Sequence, residues 1–167
     1  MIKASALVAL AACVTPSLKA QTDSRFQVTA IRAVLFFQDS GTFGSFDAMA
    51  EGPDAPALWN TIIGEGAAGS HPSAATVVLV RVHGPFAVPG NKPALHVTAA
   101  QEMTRGTRVV LNRRIQLDPF FTEIGEAWIP IIIYDTGCGA VQVTAAISVG
   151  TTETPGLTKT VPFQCGE

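Results

Sequence analysis

Short runs rich in Val, Ile, Thr and Phe recur along most of the chain, and clusters of turn-forming residues separate them. After the first 20 residues, no stretch of 12 or more residues holds a clear helical period. Runs of this length and composition are typical of β-strands, so the sequence predicts an all-β protein. The seven predicted strands cover residues 27–37, 76–83, 94–100, 107–117, 128–134, 141–149 and 158–163.

The number and spacing of these strands predict two packed antiparallel sheets. Seven short strands joined by turns fit a β-sandwich of immunoglobulin-like or other Greek-key topology, and an open barrel is the alternative. In the third strand Leu95, Val97 and Ala99 alternate with polar residues, so one face of that strand should pack inward. The Cys, Trp and Tyr spacing of true immunoglobulin domains is absent, so the prediction concerns the architecture and names no family.

One predicted strand differs from the others, because residues 129–133 are apolar on both faces. Pro130 cannot donate a hydrogen bond to a neighbouring strand, which favours an edge strand or the first residues of a strand. An exposed apolar edge is a place where another chain could add a strand. The favoured interpretation is that a loop or the terminus covers this edge.

The first residues of the chain are typical of a signal peptide. Lys3 supplies a positive charge, and the 11 residues from Ala4 to Val14 contain one polar residue, Ser5. This apolar stretch is shorter than the roughly 20 residues that a helix needs to cross a bilayer, so no transmembrane helix is expected. The protein is therefore predicted to be secreted, periplasmic or attached to the cell surface.

Two cleavage sites compete. Cleavage after Ala20 is favoured, and it leaves a single β-sandwich domain over residues 21–167, which is 167 − 20 = 147 residues. The alternative is a lipoprotein signal over residues 1–12, because residues 10–13 resemble a bacterial lipobox. Cys13 would then carry acyl chains that hold the protein to a bacterial envelope membrane.

Cys138 and Cys165 are the cysteines that remain after cleavage at Ala20. An exported protein meets oxidising conditions, so the two are predicted to form a disulfide. Cleavage also removes two of the 11 basic residues, which leaves nine against 13 acidic residues and a net charge of 9 − 13 = −4. A negative charge argues against a nucleic-acid partner, since nucleic acids are bound through basic patches.

The longest predicted connection, residues 38–75, is the first place to look for a recognition surface. Connections longer than about 15 residues are usually functional or disordered, and this one is too apolar to be disordered throughout. Its apolar residues are expected to cap an open end of the sandwich, with Trp59 buried there. In the alternative, Phe43, Phe46 and Trp59 form an exposed patch that binds a protein or glycan ligand.

The tripeptide Asp135-Thr136-Gly137 resembles the Asp-Thr-Gly element of aspartic proteases, in which paired carboxylates share a proton. Cys138 follows the glycine, whereas small or hydroxyl residues usually follow it in that family. Only 30 residues remain after Gly137, too few for the flap and second glycine element of a retroviral-type protease. A hairpin turn with positive-φ positions explains residues 135–139 better.

Other polar residues show no spacing that predicts a metal or cofactor site. The histidines at 71, 83 and 96 form no close pair, so scattered surface histidines are the favoured interpretation. Four acids in the long connection are spaced too widely for an EF-hand, and a solvated acidic loop is expected instead. These acids are Asp39, Asp47, Glu51 and Asp54.

Together these patterns predict a secreted or envelope-attached module without catalytic activity, which binds its partner through residues 38–75. One alternative is a small hydrolase that uses Asp135 together with Asp39 or Asp47. The other is a purely structural component of the envelope.

Overall fold

The computed structural model describes residues 26–84, 93–117 and 125–166. The predicted signal peptide and Cys13 lie outside these residues. No helix in the described ranges is long and apolar enough to cross a membrane. The strands of this part of the chain are β1 (Gln27–Phe37), β2 (Thr42–Phe43), β3 (Ala75–His83), β4 (Pro93–Glu102), β5 (Thr107–Gln116), β6 (Glu126–Tyr134), β7 (Val141–Val149), β8 (Thr152–Glu153) and β9 (Leu157–Val161).

Each of the seven predicted strands is present, with ends that differ by at most two residues. The two-residue strands β2 and β8 were not predicted. The first sheet has the order β2-β1-β3-β6, and the second has β5-β4-β7, with β8 and β9 both paired to β7. Without the short strands, the order β1-β3-β6 over β5-β4-β7-β9 is an immunoglobulin-like Greek-key arrangement. The predicted sandwich is confirmed, and the open barrel is wrong.

The core lies between the two sheets, because every second residue of the long strands points inward. In β6 these residues are Ile129, Ile131 and Ile133, which are at most 2 % exposed. Leu95, Val97 and Ala99 of β4 are equally buried, as their alternation predicts. Full burial of one such aliphatic side chain contributes about 1.5 to 3 kcal/mol relative to exposure.

The long connection between β1 and β3 packs against the core, but through fewer of its large apolar residues than expected, because Ile62 and Ile63 are 41 % and 64 % exposed. Ala48, Met49, Leu58 and Ala68 of this segment belong to the core and are at most 5 % exposed. Three 3₁₀ helices shape it, at Gly52–Asp54, Thr61–Ile63 and Gly66–Ala68. The predicted burial of Trp59 is wrong, because its side chain is 44 % exposed while the smaller apolar residues of the segment anchor it.

The predicted disulfide between Cys138 and Cys165 is confirmed, with 5.1 Å between the Cα atoms. It joins the turn after β6, which leaves the first sheet, to the chain that follows β9 of the second sheet. Residues 135–139 adopt positive φ at Asp135, Gly137 and Gly139, as expected. The predicted hairpin is wrong, since the turn crosses from one sheet to the other. A Cβ at Gly137 would lie 2.6 Å from Ile62 Cγ2, so this position needs glycine.

Candidate functional site

The three residues predicted for recognition occupy different places. Phe43 lies in β2 with 60 % of its side chain exposed, and its ring is 5.3 Å from that of Phe36. Phe46 is half-buried against the core. Trp59 lies near the disulfide, where its backbone bridges Gln164 and its ring packs against the chain at Gly166. The predicted patch is therefore divided, and only Phe43 belongs to a larger exposed apolar surface.

That surface is the outer side of the first sheet, which we call the first-sheet face. The strand register places outward residues of β1, β3 and β6 opposite one another in five rows. The first row is polar and consists of Gln27, His83 and Glu126. Phe43 extends the last row, because it pairs with Phe36. In order along the strands, the other four rows are Ala30, Arg81 and Trp128; then Arg32, Leu79 and Pro130; then Val34, Val77 and Ile132; and finally Phe43, Phe36, Ala75 and Tyr134.

The first-sheet face exposes much more apolar surface than a strand exterior needs. Trp128 is 41 % exposed, Ile132 44 % and Tyr134 68 %. An exposed contiguous apolar patch with a polar rim marks an interaction site more often than isolated apolar residues do. Trp, Tyr, Phe and Arg are also the residues most enriched at the centres of protein interfaces.

Two arginines lie over the indole ring of Trp128 at one end of this face. The guanidinium carbons of Arg32 and Arg81 are 5.5 and 5.7 Å from the ring centroid, within the range of cation–π attraction. Arg81 Nε donates to Thr29 Oγ1 at 2.9 Å, and Arg32 Nε lies 3.9 Å from Asp47 Oδ2. The aromatic and cationic groups are thus held in place before any partner arrives.

No described loop or strand pairs with the second edge of β6, which bonds to β3 alone in the first sheet. The outward side chains of β6 are exposed along its length. The expected cover of this edge by a loop or the terminus stays a prediction. The proline prediction is confirmed, since Pro130 lies in an edge strand.

The outer side of the second sheet is polar. Its central row consists of Asn112, Thr98, Thr144 and Thr158. Thr144 and Thr158 share a hydrogen bond of 3.0 Å, and His96 Nε2 lies 2.9 Å from the side-chain oxygen of Asn112. These side chains satisfy one another and water, as the solvated side of an antiparallel sheet usually does.

The carboxylates that the sequence offered for catalysis or calcium are held separately. Asp39 shares a hydrogen bond of 3.0 Å with the His71 ring, and that bond lowers the pKa of the Asp39 carboxyl. Asp47 Oδ1 accepts from the backbone amides of Ala33 and Met49, both at 3.0 Å. Asp47 therefore fixes the entry of the long connection against β1.

Glu51 binds Lys159 of β9, and the hydrogen bond from the ammonium group lowers the pKa of the Glu51 carboxyl. Asp135 is exposed at the end of β6, where its carbonyl accepts a bond of 3.3 Å from Arg108. In the described part of the chain, no three His, Cys, Asp or Glu side chains gather in a group that could hold a metal ion.

A shallow depression of about 610 Å³ lies beside the disulfide, between Trp59, Met103 and Phe163. Glu102 is the one ionisable side chain along it. The depression gathers no set of polar groups that would orient a small ligand.

The sequence pattern alone could have revealed part of the first-sheet face, because the residues of β6 are apolar on both sides of the strand. The residues of β1 and β3 that complete the face could not be identified that way, because the sequence does not show which strands are neighbours.

No family model matches this chain, and no curated protein is significantly similar to it.

Proposed function

We propose that the chain is an exported binding module without catalytic activity, and that it binds a folded protein through the first-sheet face. The observation that carries the proposal is the contiguous row of exposed apolar side chains on β6, Trp128, Ile132 and Tyr134, next to two ordered arginines. The disulfide is compatible with an extracytoplasmic location.

A protein suits this face better than a glycan does. At the centre of the face Val34 and Ile132 share a row with Val77, which is only 6 % exposed, and this row has no hydroxyl or amide side chain to bind sugar hydroxyls. The side chain of Arg32 is 62 % exposed, so it can meet a carboxylate of a partner. The partner surface is therefore apolar at its centre and acidic opposite the arginines.

The long connection takes part through two residues at its start. Phe43 enlarges the aromatic end of the face, and Asp47 lies beside Arg32 while it anchors the connection to β1. Trp59 is not part of this surface. The role proposed for residues 38–75 is thus to extend and brace the first-sheet face.

Site-specific photo-crosslinking tests the proposal. We would replace Ile132 on the first-sheet face, or Thr158 on the outer side of the second sheet, with benzoylphenylalanine and irradiate cells that make the protein naturally. We expect position 132 to crosslink one defined protein, identified by mass spectrometry, while position 158 does not crosslink it. Equal crosslinking at both positions, or none at 132, would overturn the proposal, and a crosslinked dimer would identify a second copy as the occupant.

The purified partner then gives the quantitative test. Truncation of a central aromatic residue at an interface costs about 2 kcal/mol or more, which is roughly a thirtyfold loss of affinity. Trp128→Ala and Tyr134→Ala should each weaken binding to that extent, whereas Thr158→Ala should leave the dissociation constant within about twofold. If all three variants bind alike, the crosslinked protein is a neighbour and not a partner.

A further inference from the structure

A second recognition feature lies on the open side of the sandwich, where β5 of the second sheet runs beside β6 of the first. A groove of about 490 Å³ separates the two edge strands. Residues 108–113 form one wall, and residues 132–135 form the other. In the described ranges β5 pairs only with β4, and β6 pairs only with β3, so both walls are free edges.

The β5 wall carries two arginines, Arg108 and Arg113. Within the described ranges neither forms an ion pair. Arg108 donates to two neutral oxygens, Oε1 of Gln101 at 2.8 Å and the carbonyl of Asp135 at 3.3 Å. Asp135 is the one acidic residue among the described residues of the groove, so two positive charges face a single carboxylate there.

The strand register decides which arginines belong to the groove. Arg108 and Arg113 lie opposite Gln101 and Val97, whose side chains point inward, so both arginines are on the inner side of β5 and line the groove. Arg114 lies opposite His96 on the outer face of the second sheet and does not line the groove. Two adjacent arginines thus have different surroundings.

Arg108 is held ready for a ligand. Its partner Gln101 is only 3 % exposed, and Gln101 Nε2 donates in turn to the carbonyl of Cys138. The disulfide fixes that turn. An arginine whose position is fixed in advance loses less conformational entropy when it binds a carboxylate.

Much of the remaining groove lining is apolar, beside the polar side chains of Asn112 and Asp135. Val109 and Tyr134 are each 68 % exposed along it, and Ile132 is 44 % exposed. A ligand that fills the groove therefore needs apolar side chains as well as negative charges. It must also be extended, because Arg108 and Arg113 lie opposite Gln101 and Val97, which are four residues apart on β4, or roughly 13 Å at about 3.3 Å per residue.

We infer that this groove binds an extended protein segment that alternates acidic and apolar residues. Side chains two or four residues apart in an extended segment share one face, so two carboxylates four positions apart can reach the two guanidinium groups. Polysaccharide or nucleic-acid polyanions fit less well, because they offer no aliphatic groups to Val109 and Ile132. The groove shares Ile132 and Tyr134 with the first-sheet face, but Arg108 and Arg113 belong to the groove alone, so the arginine variants test this inference separately.

The test uses a designed probe. It is a capped, fluorescent peptide of about nine residues with two glutamates four positions apart and valines between them. A matched peptide carries glutamines in place of the glutamates. We expect the purified protein to bind the glutamate peptide at least tenfold more tightly, and the difference to shrink as salt rises, because salt screens exposed charges.

The variants Arg113→Glu and Arg114→Glu form a matched pair, since each makes the same charge change on neighbouring residues of one strand. We expect Arg113→Glu to weaken binding of the glutamate peptide at least tenfold and Arg114→Glu by less than about threefold. Glutamate also keeps a charge on the edge strand, so neither variant exposes β5 to unwanted pairing. Circular dichroism would establish that both variants are folded.

Three results would overturn the inference. The first is equal binding of the glutamate and glutamine peptides, or no binding of either. The second is an equal effect of both arginine variants, which would show a general attraction of the strand for anions. The third is tighter binding of a heparin fragment than of the glutamate peptide, which would assign the groove to a polysaccharide polyanion.

Discussion

The outer sides of the two sheets are produced by the same alternation of strand residues, yet their chemistry is opposite. The first sheet presents valine, isoleucine, aromatic rings and arginine to the outside, and the second presents threonine, asparagine, glutamine and histidine. Both sheets contribute the same kind of aliphatic side chain to the core. A solvated outer side usually carries the polar pattern, and the apolar pattern of the first sheet is the basis of the binding face proposed above.

The sharpest form of this comparison is found on β6, where adjacent isoleucines point in opposite directions. Ile131→Ala removes a side chain that is 1 % exposed, and we expect it to lower the free energy of unfolding by about 4 kcal/mol. Ile132→Ala removes a side chain that is 44 % exposed, and the cost should stay below about 1 kcal/mol. Urea denaturation of both variants measures the difference. Similar losses would mean that the outer residues also stabilise the fold.

The disulfide joins the ends of the two sheets, so its removal should loosen the sandwich without changing either outer side. The bond closes a separation of 27 residues, and the chain-entropy estimate for such a loop is about 3.5 kcal/mol. We expect the double variant Cys138→Ser/Cys165→Ser to lose about that much stability in urea. The parent under reducing conditions is the control. A loss below about 1 kcal/mol would contradict the estimate.

The difference in hydrophobicity between the outer sides of the two sheets can be tested by exchanging polar and apolar residues between them. Ile132→Thr with Tyr134→Thr should shorten the retention of the protein on a hydrophobic interaction column, while Thr158→Val with Thr160→Val on the second sheet should lengthen it. Each pair of changes should alter stability by only about 0.5 to 1 kcal/mol, because the side chains are exposed. If the first pair leaves retention unchanged, the first-sheet face is not the dominant apolar surface.

The smallest effect concerns the contact between Glu51 of the long connection and Lys159 of the second sheet. Lys159 lowers the pKa of the Glu51 carboxyl below its usual value of 4.5, so the pair stabilises the folded state above that pH and loses this effect as the pH falls through the folded-state pKa. Glu51→Gln should therefore lower the urea midpoint slightly at pH 7 and not in strong acid. A difference that grows in acid would have the wrong sign.

The sequence predicted best those features that a local pattern of residues marks. Runs rich in Val, Ile, Thr and Phe between turn residues predicted all seven long strands, and the two-sided apolar pattern of residues 129–133 marked β6 as different from the others. The predicted export signal led to the prediction of the disulfide, because two cysteines in an oxidising compartment leave one pairing. The strands depend on the residues of one short segment, and the disulfide depends on the number of cysteines. Both can be read from the sequence without knowing which segments are neighbours.

The candidate surfaces could be predicted only in part, because they depend on which strands are neighbours. Val34 and Val77 are unremarkable within their own strands and become part of a patch only beside Ile132. Polar and apolar residues do not alternate regularly in residues 38–75, so nothing in the sequence distinguished exposed Trp59 from buried Met49. Likewise, the arginines of β5 divide between two surfaces only when the register with β4 is known.

Pro130 limits the kind of assembly that the protein can form. It lies in the middle of an edge strand, and proline there discourages a further strand from continuing the sheet. A partner that lies flat on the first-sheet face does not need that hydrogen-bonding edge. Growth of one copy onto the next by sheet extension is therefore disfavoured at this edge.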